Sequence, residues 1–209
     1  MTLILTLMLI AGLLVGSELW WRSHKPTGEF SRKFIHIFVG SIAAFWPFYL
    51  PWWQIVALSI AFIVVVIVSK SFHIFQSIHA VERPTWGEML FAVAVGLLAF
   101  ITHQPWIYTV ALLHMSLADG LAAVVGVTYG KSSQYHVFGH CKSVVGSATF
   151  LGVSMLLLIT FSHVSGMPLT WPVIVGTAIM AMAVENFGVY GLDNVLVPVL
   201  VAFAVETMV

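Results

Sequence analysis

The chain carries a single cysteine, Cys141. That excludes an intrachain disulfide and leaves no cysteine spacing for a metal. Charge is almost as scarce. Only 8% of the 209 residues are Asp, Glu, Lys or Arg and 60% are hydrophobic, whereas a soluble domain carries about 25% charged residues. With a mean hydropathy of +1.03, a soluble globular domain is excluded and a membrane protein is expected. The formal net charge is zero, so no excess of either sign points to nucleic acid as a partner. No GxxxxGK[ST] occurs and no protein-kinase signature, which excludes a P-loop enzyme and a protein kinase. The nine histidines include no HExxH, so no zinc site is expected.

What is present is hydrocarbon in span-sized pieces. Apolar segments lie near 3–21, 34–50, 52–69, 86–102, 105–129, 144–162, 172–188 and 193–209, and each crossing needs roughly 20 residues. The first has no basic residues before it and no small-residue cleavage site, so it reads as a retained helix. The expected fold class is all-α, a single integral-membrane domain over 1–209 with about eight transmembrane helices. The cations fall in alternate connections: Arg22, Lys25, Arg32 and Lys33 in the first, Lys70 and Arg83 in the third, Lys131 and Lys142 in the fifth. The positive-inside rule makes those connections cytoplasmic and puts both termini outside. The seventh connection, 187–193, then faces the cytoplasm too, and every polar cluster gathers on one side.

One stretch breaks the hydrocarbon most sharply: LADGLAAVVGVTYGKSSQYHVFGHCKSVVG at 117–146. Asp119 sits in an apolar run, Gly120, Gly126 and Gly130 follow, and Lys131, Lys142, Ser143, Gly146 and Ser147 close it. An acid can hold magnesium, glycines let backbone approach phosphates, and lysines neutralise phosphate charge. Asp119 lies fourteen residues past Pro105, about 21 Å into a core of about 30 Å. Glu185, thirteen residues past Pro172, reaches a similar depth. A carboxylate there costs about 2.5–3.5 kcal/mol on insertion scales, so it is paired, hydrated or metal-bound. Neither acid has a cation within helical reach in its own segment.

The smaller motifs each admit two readings. In SRKFIH at 31–36, Arg32 and His36 share a helix face, and Arg32 with Lys33 is either a phosphate clamp or a basic anchor that sets topology. Thr85 and Glu88 fit a capping box. Asp119 serves either an ion or a hydrogen bond to a neighbouring helix. Gly126 suits close helix packing as well as phosphate approach, whereas Gly130 beside Lys131 favours phosphate. Asp193 can cap the last helix, and Glu185-Asn186 and Asp193-Asn194 flank a glycine-containing break. His36 is the one histidine with a plausible role in chemistry; His114 points to nothing specific.

The ordered set SRKFIH, TWGE, LADGLAAVVGVTYGK, KSVVGS and ENFGVYGLDNVLVP, from Ser31 to Pro198, resembles the CTP-dependent lipid kinases. These include dolichol and polyprenol kinases, phytol kinases and CTP-dependent diacylglycerol kinases, and are distantly similar to phosphatidate cytidylyltransferases. The resemblance implies a kinase that uses CTP, with magnesium as cofactor, to phosphorylate the hydroxyl of a long-chain lipid alcohol at the cytoplasmic face. By position it makes Arg32-Lys33 the basic pair, Asp119 the acid, Gly126 the next glycine, Gly130-Lys131 the GK, Lys142-Ser143 with Gly146 the KSxEG, and Asp193-Asn194 the late pair. The expected catalytic set is Asp119, Arg32, Lys33, His36 and Glu185, and metal ligation falls to Asp119, Glu185 and Asp193. Nucleotide binding falls to Gly126, Gly130, Lys131, Lys142, Ser143, Gly146 and Asn194. The chain departs from the family pattern at Val145, where an acid is usual, and at Val127-Thr128, where an arginine often follows. The alternatives are a CTP:lipid-phosphate cytidylyltransferase and a non-catalytic lipid-binding or transport protein. The expected partners are CTP, a lipid alcohol and the bilayer, and a homo-oligomer is compatible with all of this.

Overall fold

A computed structural model describes residues 2–24, 28–72 and 86–208. Each apolar segment read from the sequence is helical. The helices are α1 (Thr2–His24), α2 (Gly28–Ala44), α3 (Trp52–Phe72), α4 (Gly87–Ile101), α5 (Pro105–Leu113), α6 (Asp119–Tyr129), α7 (Val144–Val164), α8 (Trp171–Phe187) and α9 (Asp193–Glu206). Four stretches, Thr2–His24, Trp52–Phe72, Pro105–Tyr129 and Val144–Val164, are long and apolar enough to cross a membrane, and α4 and α8 are shorter apolar helices. Prolines start several of them: Pro105 and Pro172 stand in the first turns of α5 and α8, where the missing amide costs nothing.

The rod 105–129 forms the centre. Tyr108, Ala111, Leu112, Met115 and Ala118 on it are fully buried, and α2, α7 and α9 pack around its middle. Small buried residues, Ala43 and Ala44 on α2, Ala202 on α9, and Ala178 and Ala181 where α8 packs on α7 and α9, let backbones approach as membrane packing requires. By contrast α1 is peripheral, with only Thr6, Leu14 and Glu18 buried. The central rod is not uniform. Between α5 and α6 it widens into a π turn, His114–Ala118, in which the Asp119 amide bonds back to the His114 carbonyl.

The expectation of an all-α chain needs one correction. Between α6 and α7 a two-stranded antiparallel hairpin forms, β1 (Gln134–Val137) and β2 (His140–Ser143), with Tyr135 opposite Lys142 and Val137 opposite His140. Its two-residue turn puts both Phe138 (φ 47°) and Gly139 (φ 81°) in the left-handed region, the conformation that matches strand twist. The short polar alternation of 134–143 carries no helical stripe, and backbone donors there find partners across the strands. The proposed cap of α4 by Thr85 lies outside the described residues, as do Lys25 and Arg83. Trp86 precedes α4 without a side-chain cap bond.

Candidate functional site

Asp119 begins α6 directly after the π turn and is buried. Its Oδ2 accepts from the Lys33 Nζ of α2 at 2.5 Å, both side chains being almost wholly enclosed. The cation absent from its own helix thus arrives from another. His36, one turn beyond Lys33, donates from Nε2 to the Met115 carbonyl at 2.9 Å and stands 3.6 Å from Asp119 Oδ2. Its ring meets the edge of Phe91 at 4.8 Å between centroids. Arg32 is buried in the same turn of α2.

The second ion pair comes from the hairpin. Lys142 Nζ donates to the Glu185 backbone carbonyl at 3.0 Å and makes a close contact with Glu185 Oε1. Burial opposes charge on this ammonium, but the Glu185 carboxylate, with Asp193 and Asp119 beyond it, outweighs that and holds the Lys142 pKa above the usual lysine range. The hairpin is held in place through Tyr135, on the same face as Lys142. The Tyr135 hydroxyl lies 2.6 Å from Ser147 Oγ and donates to Asn186 Oδ1, which also accepts from Ser147 at 3.1 Å. Sequence reasoning missed Tyr135. The register of the hairpin, with Tyr135 opposite Lys142, places it, and the Phe138-Gly139 turn carries no sequence signature of that register.

The tight break between α8 and α9 completes the centre. Gly188 has no room for a side chain, since a Cβ there would fall 2.6 Å from the Asp193 Cβ. This close approach folds α9 back, so oxygens of Asp119, Glu185 and Asp193 all lie within 4.8 Å of one another. Asp193 is the first residue of α9 rather than its cap, and its Oδ1 accepts from the Asn194 amide at 3.2 Å. Asn194, expected to face a nucleotide, gives its Nδ2 to the Gly87 carbonyl at 3.0 Å and ties α9 to α4.

The remaining expected residues form a neighbouring cluster at the α6–α7 crossing. Ser143 caps α7, its Oγ accepting from the Gly146 amide at 3.0 Å. Cβ atoms on Gly126, Gly130 and Gly146 would approach that same Oγ to 2.9, 2.3 and 3.0 Å. The packing reading of these glycines is therefore present in the fold, alongside whatever they offer a phosphate. Lys131 is exposed where α6 ends. The residues fit a hard divalent cation: three carboxylates converge, and such ions take oxygen ligands. The lysines beside two of these acids, Lys33 and Lys142, suit a polyanion next to it.

Fold and centre together define a helical membrane protein with a buried ionic site. The chain is 30% identical over 195 residues to the phytol kinase of Synechocystis sp. (strain ATCC 27184 / PCC 6803 / Kazusa), a match covering 90% of this chain and 83% of the relative. The chain belongs to the CTP-dependent lipid kinase family. No protein-family model matches it, and no solved structure does.

Proposed function

We propose that this protein is a CTP-dependent kinase that phosphorylates the hydroxyl of a long-chain lipid alcohol such as phytol, a polyprenol, dolichol or diacylglycerol. The observation that carries the reading is the convergence of Asp119, Glu185 and Asp193 within 4.8 Å, flanked by Lys33 and Lys142, in a relative of a phytol kinase. The proposal includes eight membrane crossings, both termini outside and the site beneath the cytoplasmic face, following the distribution of the cations. That depth suits both substrates, because the alcohol is apolar except at one end and the nucleotide is a polyanion that stays in water.

Asp119 and Glu185 would hold a magnesium ion, for which one or two carboxylates beside phosphates suffice. Magnesium supplies charge neutralisation at the phosphate oxygens. Lys33 pairs with Asp119 and Lys142 with Glu185, and side-chain rotation would carry their ammonium groups to phosphate oxygens. With Arg32 and Lys131 they neutralise the triphosphate and the departing diphosphate. The alcohol oxygen bonds to the terminal phosphorus as the bond to the β-phosphate oxygen breaks, and CDP leaves. The hydroxyl proton passes to Asp193, which is half-buried and has no ion-pair partner among the described residues. His36, with its Nε2 proton committed to Met115, supports the turn before Asp119. A loose phosphoryl-transfer transition state needs positioning and charge stabilisation above all.

The test is product analysis with purified protein, CTP labelled on its terminal phosphate, and a panel of the four alcohols. Labelled lipid phosphate and CDP are expected, and Asp119→Asn abolishes both while the protein still folds. Release of pyrophosphate would make the protein a cytidylyltransferase, and binding without nucleotide consumption would make it a non-catalytic lipid protein.

A further inference from the structure

The π turn at His114–Ala118 is the feature that neither ion pair explains. A wider turn inserts a residue into the helix and rotates the residues beyond it by about 100°. Asp119 is the first residue after it. Without the insertion its carboxylate would leave the α2 side, where Lys33 stands. Such a turn also strands carbonyls. The Asp119 amide, which an α-helix gives to Met115, is shared between the His114 and Ser116 carbonyls instead, and the Met115 carbonyl accepts from His36 Nε2 at 2.9 Å.

The opposite side of the turn is held just as firmly. His114 is fully buried. Its Nδ1 lies 2.7 Å from the Val110 carbonyl and its Nε2 2.8 Å from Ser154 Oγ on α7. A carbonyl only accepts, so Nδ1 carries the proton of the neutral ring, and Nε2 accepts the hydroxyl proton of Ser154. Helix α2 closes on the turn because Gly40 leaves space, a Cβ there falling 2.4 Å from Ser116 Cβ. The turn is thereby clamped between α2 and α7 by two histidines.

We propose that His114 and Ser154 are positioning residues, which with His36 hold the π turn so that Asp119 is aimed at Lys33 and the convergent carboxylates. This rests on the reading of the site as a phosphoryl-transfer centre, and it assigns work to a histidine with no contact to the reacting groups. Removing the Ser154 hydroxyl leaves a buried ring nitrogen without its donor, and misplacement of a catalytic group by a fraction of an ångström slows the chemical step more than it weakens binding.

The experiment compares wild type, Ser154→Ala and Ser154→Cys in detergent by steady-state kinetics, thermal unfolding and hydrogen exchange. Cysteine keeps a weak donor of nearly the same size. Expected for Ser154→Ala are a kcat lowered about tenfold, as loss of one hydrogen bond's worth of orientation implies, and a KM for CTP within about twofold of wild type. Exchange should quicken in the peptide spanning 114–120 but not in α4, and Ser154→Cys should regain part of both losses. The proposal is overturned by an unchanged kcat in an active enzyme, by unchanged exchange at 114–120, or by kcat, KM and melting temperature falling together with cysteine no better than alanine. A wild-type protein that transfers no phosphate overturns the functional reading instead, and the exchange measurement still decides whether Ser154 holds the turn.

Discussion

Replacing Lys33 by methionine separates the structural from the chemical work of the central ion pair. Lys33 and Asp119 side chains are 7% and 6% exposed and 2.5 Å apart, so the substitution leaves a carboxylate buried without its main partner. Removal of one member of such a pair costs about 3–5 kcal/mol, whereas replacing both with apolar residues of similar volume is neutral or stabilising. His36, 3.6 Å from the same oxygen, gives its Nε2 proton to the Met115 carbonyl and does not replace the ammonium, so the loss is at least about 3 kcal/mol. For a chain of this size that lowers the melting temperature by roughly 6–12 °C. Melting in mild detergent is followed by intrinsic fluorescence from the eight tryptophans. Lys33→Met should fall by that amount, and Lys33→Met with Asp119→Leu should return to within a few degrees of wild type, both without kinase activity. A single variant that melts with wild type would mean the pair is not a buried ionic contact. A double variant as unstable as the single one would assign the loss to packing.

Two further outcomes rest on neighbouring geometry. Gly130→Ala places a methyl 2.3 Å from Ser143 Oγ and 2.4 Å from the Gly126 carbonyl, and should cost about 1–3 kcal/mol by overpacking. The control Gly152→Ala in α7, with open space around it, should be neutral or stabilising by up to about 1 kcal/mol; equal losses in a melting assay would refute the packing account. Because the carboxylates hold the Lys142 pKa above that of an unfolded lysine, its contribution is complete below the ordinary lysine pKa and is lost as pH rises through the raised value. Melting temperatures measured upward from neutral pH should show a strongly alkaline step that disappears in Lys142→Met. A step near neutral pH would contradict the sign.

The helices were legible because hydrocarbon spacing and prolines declare them: the segments starting near Pro105 and Pro172 begin where those residues stand. Asp119 and Glu185 were legible because buried charge is expensive in such a chain, whereas Asp193 read as a helix cap and joined the site only through the family resemblance. Their partners were not. Lys33 meets Asp119 across 86 positions and Lys142 meets Glu185 across 43, and no periodicity along one helix carries that information. The hairpin was hidden for a local reason, since Phe138-Gly139 lacks the Asn-Gly or Asp-Gly signature of a two-residue turn. The π turn was hidden as well, because an inserted residue leaves an apolar helix looking like an apolar helix. Gly126, Gly130 and Gly146 illustrate a different loss: the sequence left packing and phosphate approach open, and the close contacts around Ser143 make the packing role visible.

The demands of folding and of the proposed reaction meet in the same side chains. Three acids gathered within 4.8 Å repel one another and resist burial, so a chain this apolar folds around them only if cations accompany them. Lys33 and Lys142 do this from elements far apart in sequence, one on a helix and one on a strand. Lys33 ties α2 to Asp119 at the start of α6, and Lys142 ties the hairpin to Glu185 near the end of α8. In the proposed reaction a nucleotide with its metal ion brings anionic oxygens and a cation to that place together. There Asp119 and Glu185 would hold the ion, which supplies charge neutralisation, and the lysines would turn from carboxylate to phosphate. This accounts for why lysine, with its long flexible stem and single charged end, stands at both positions: a group that must stabilise one partner at rest and another at work has to move.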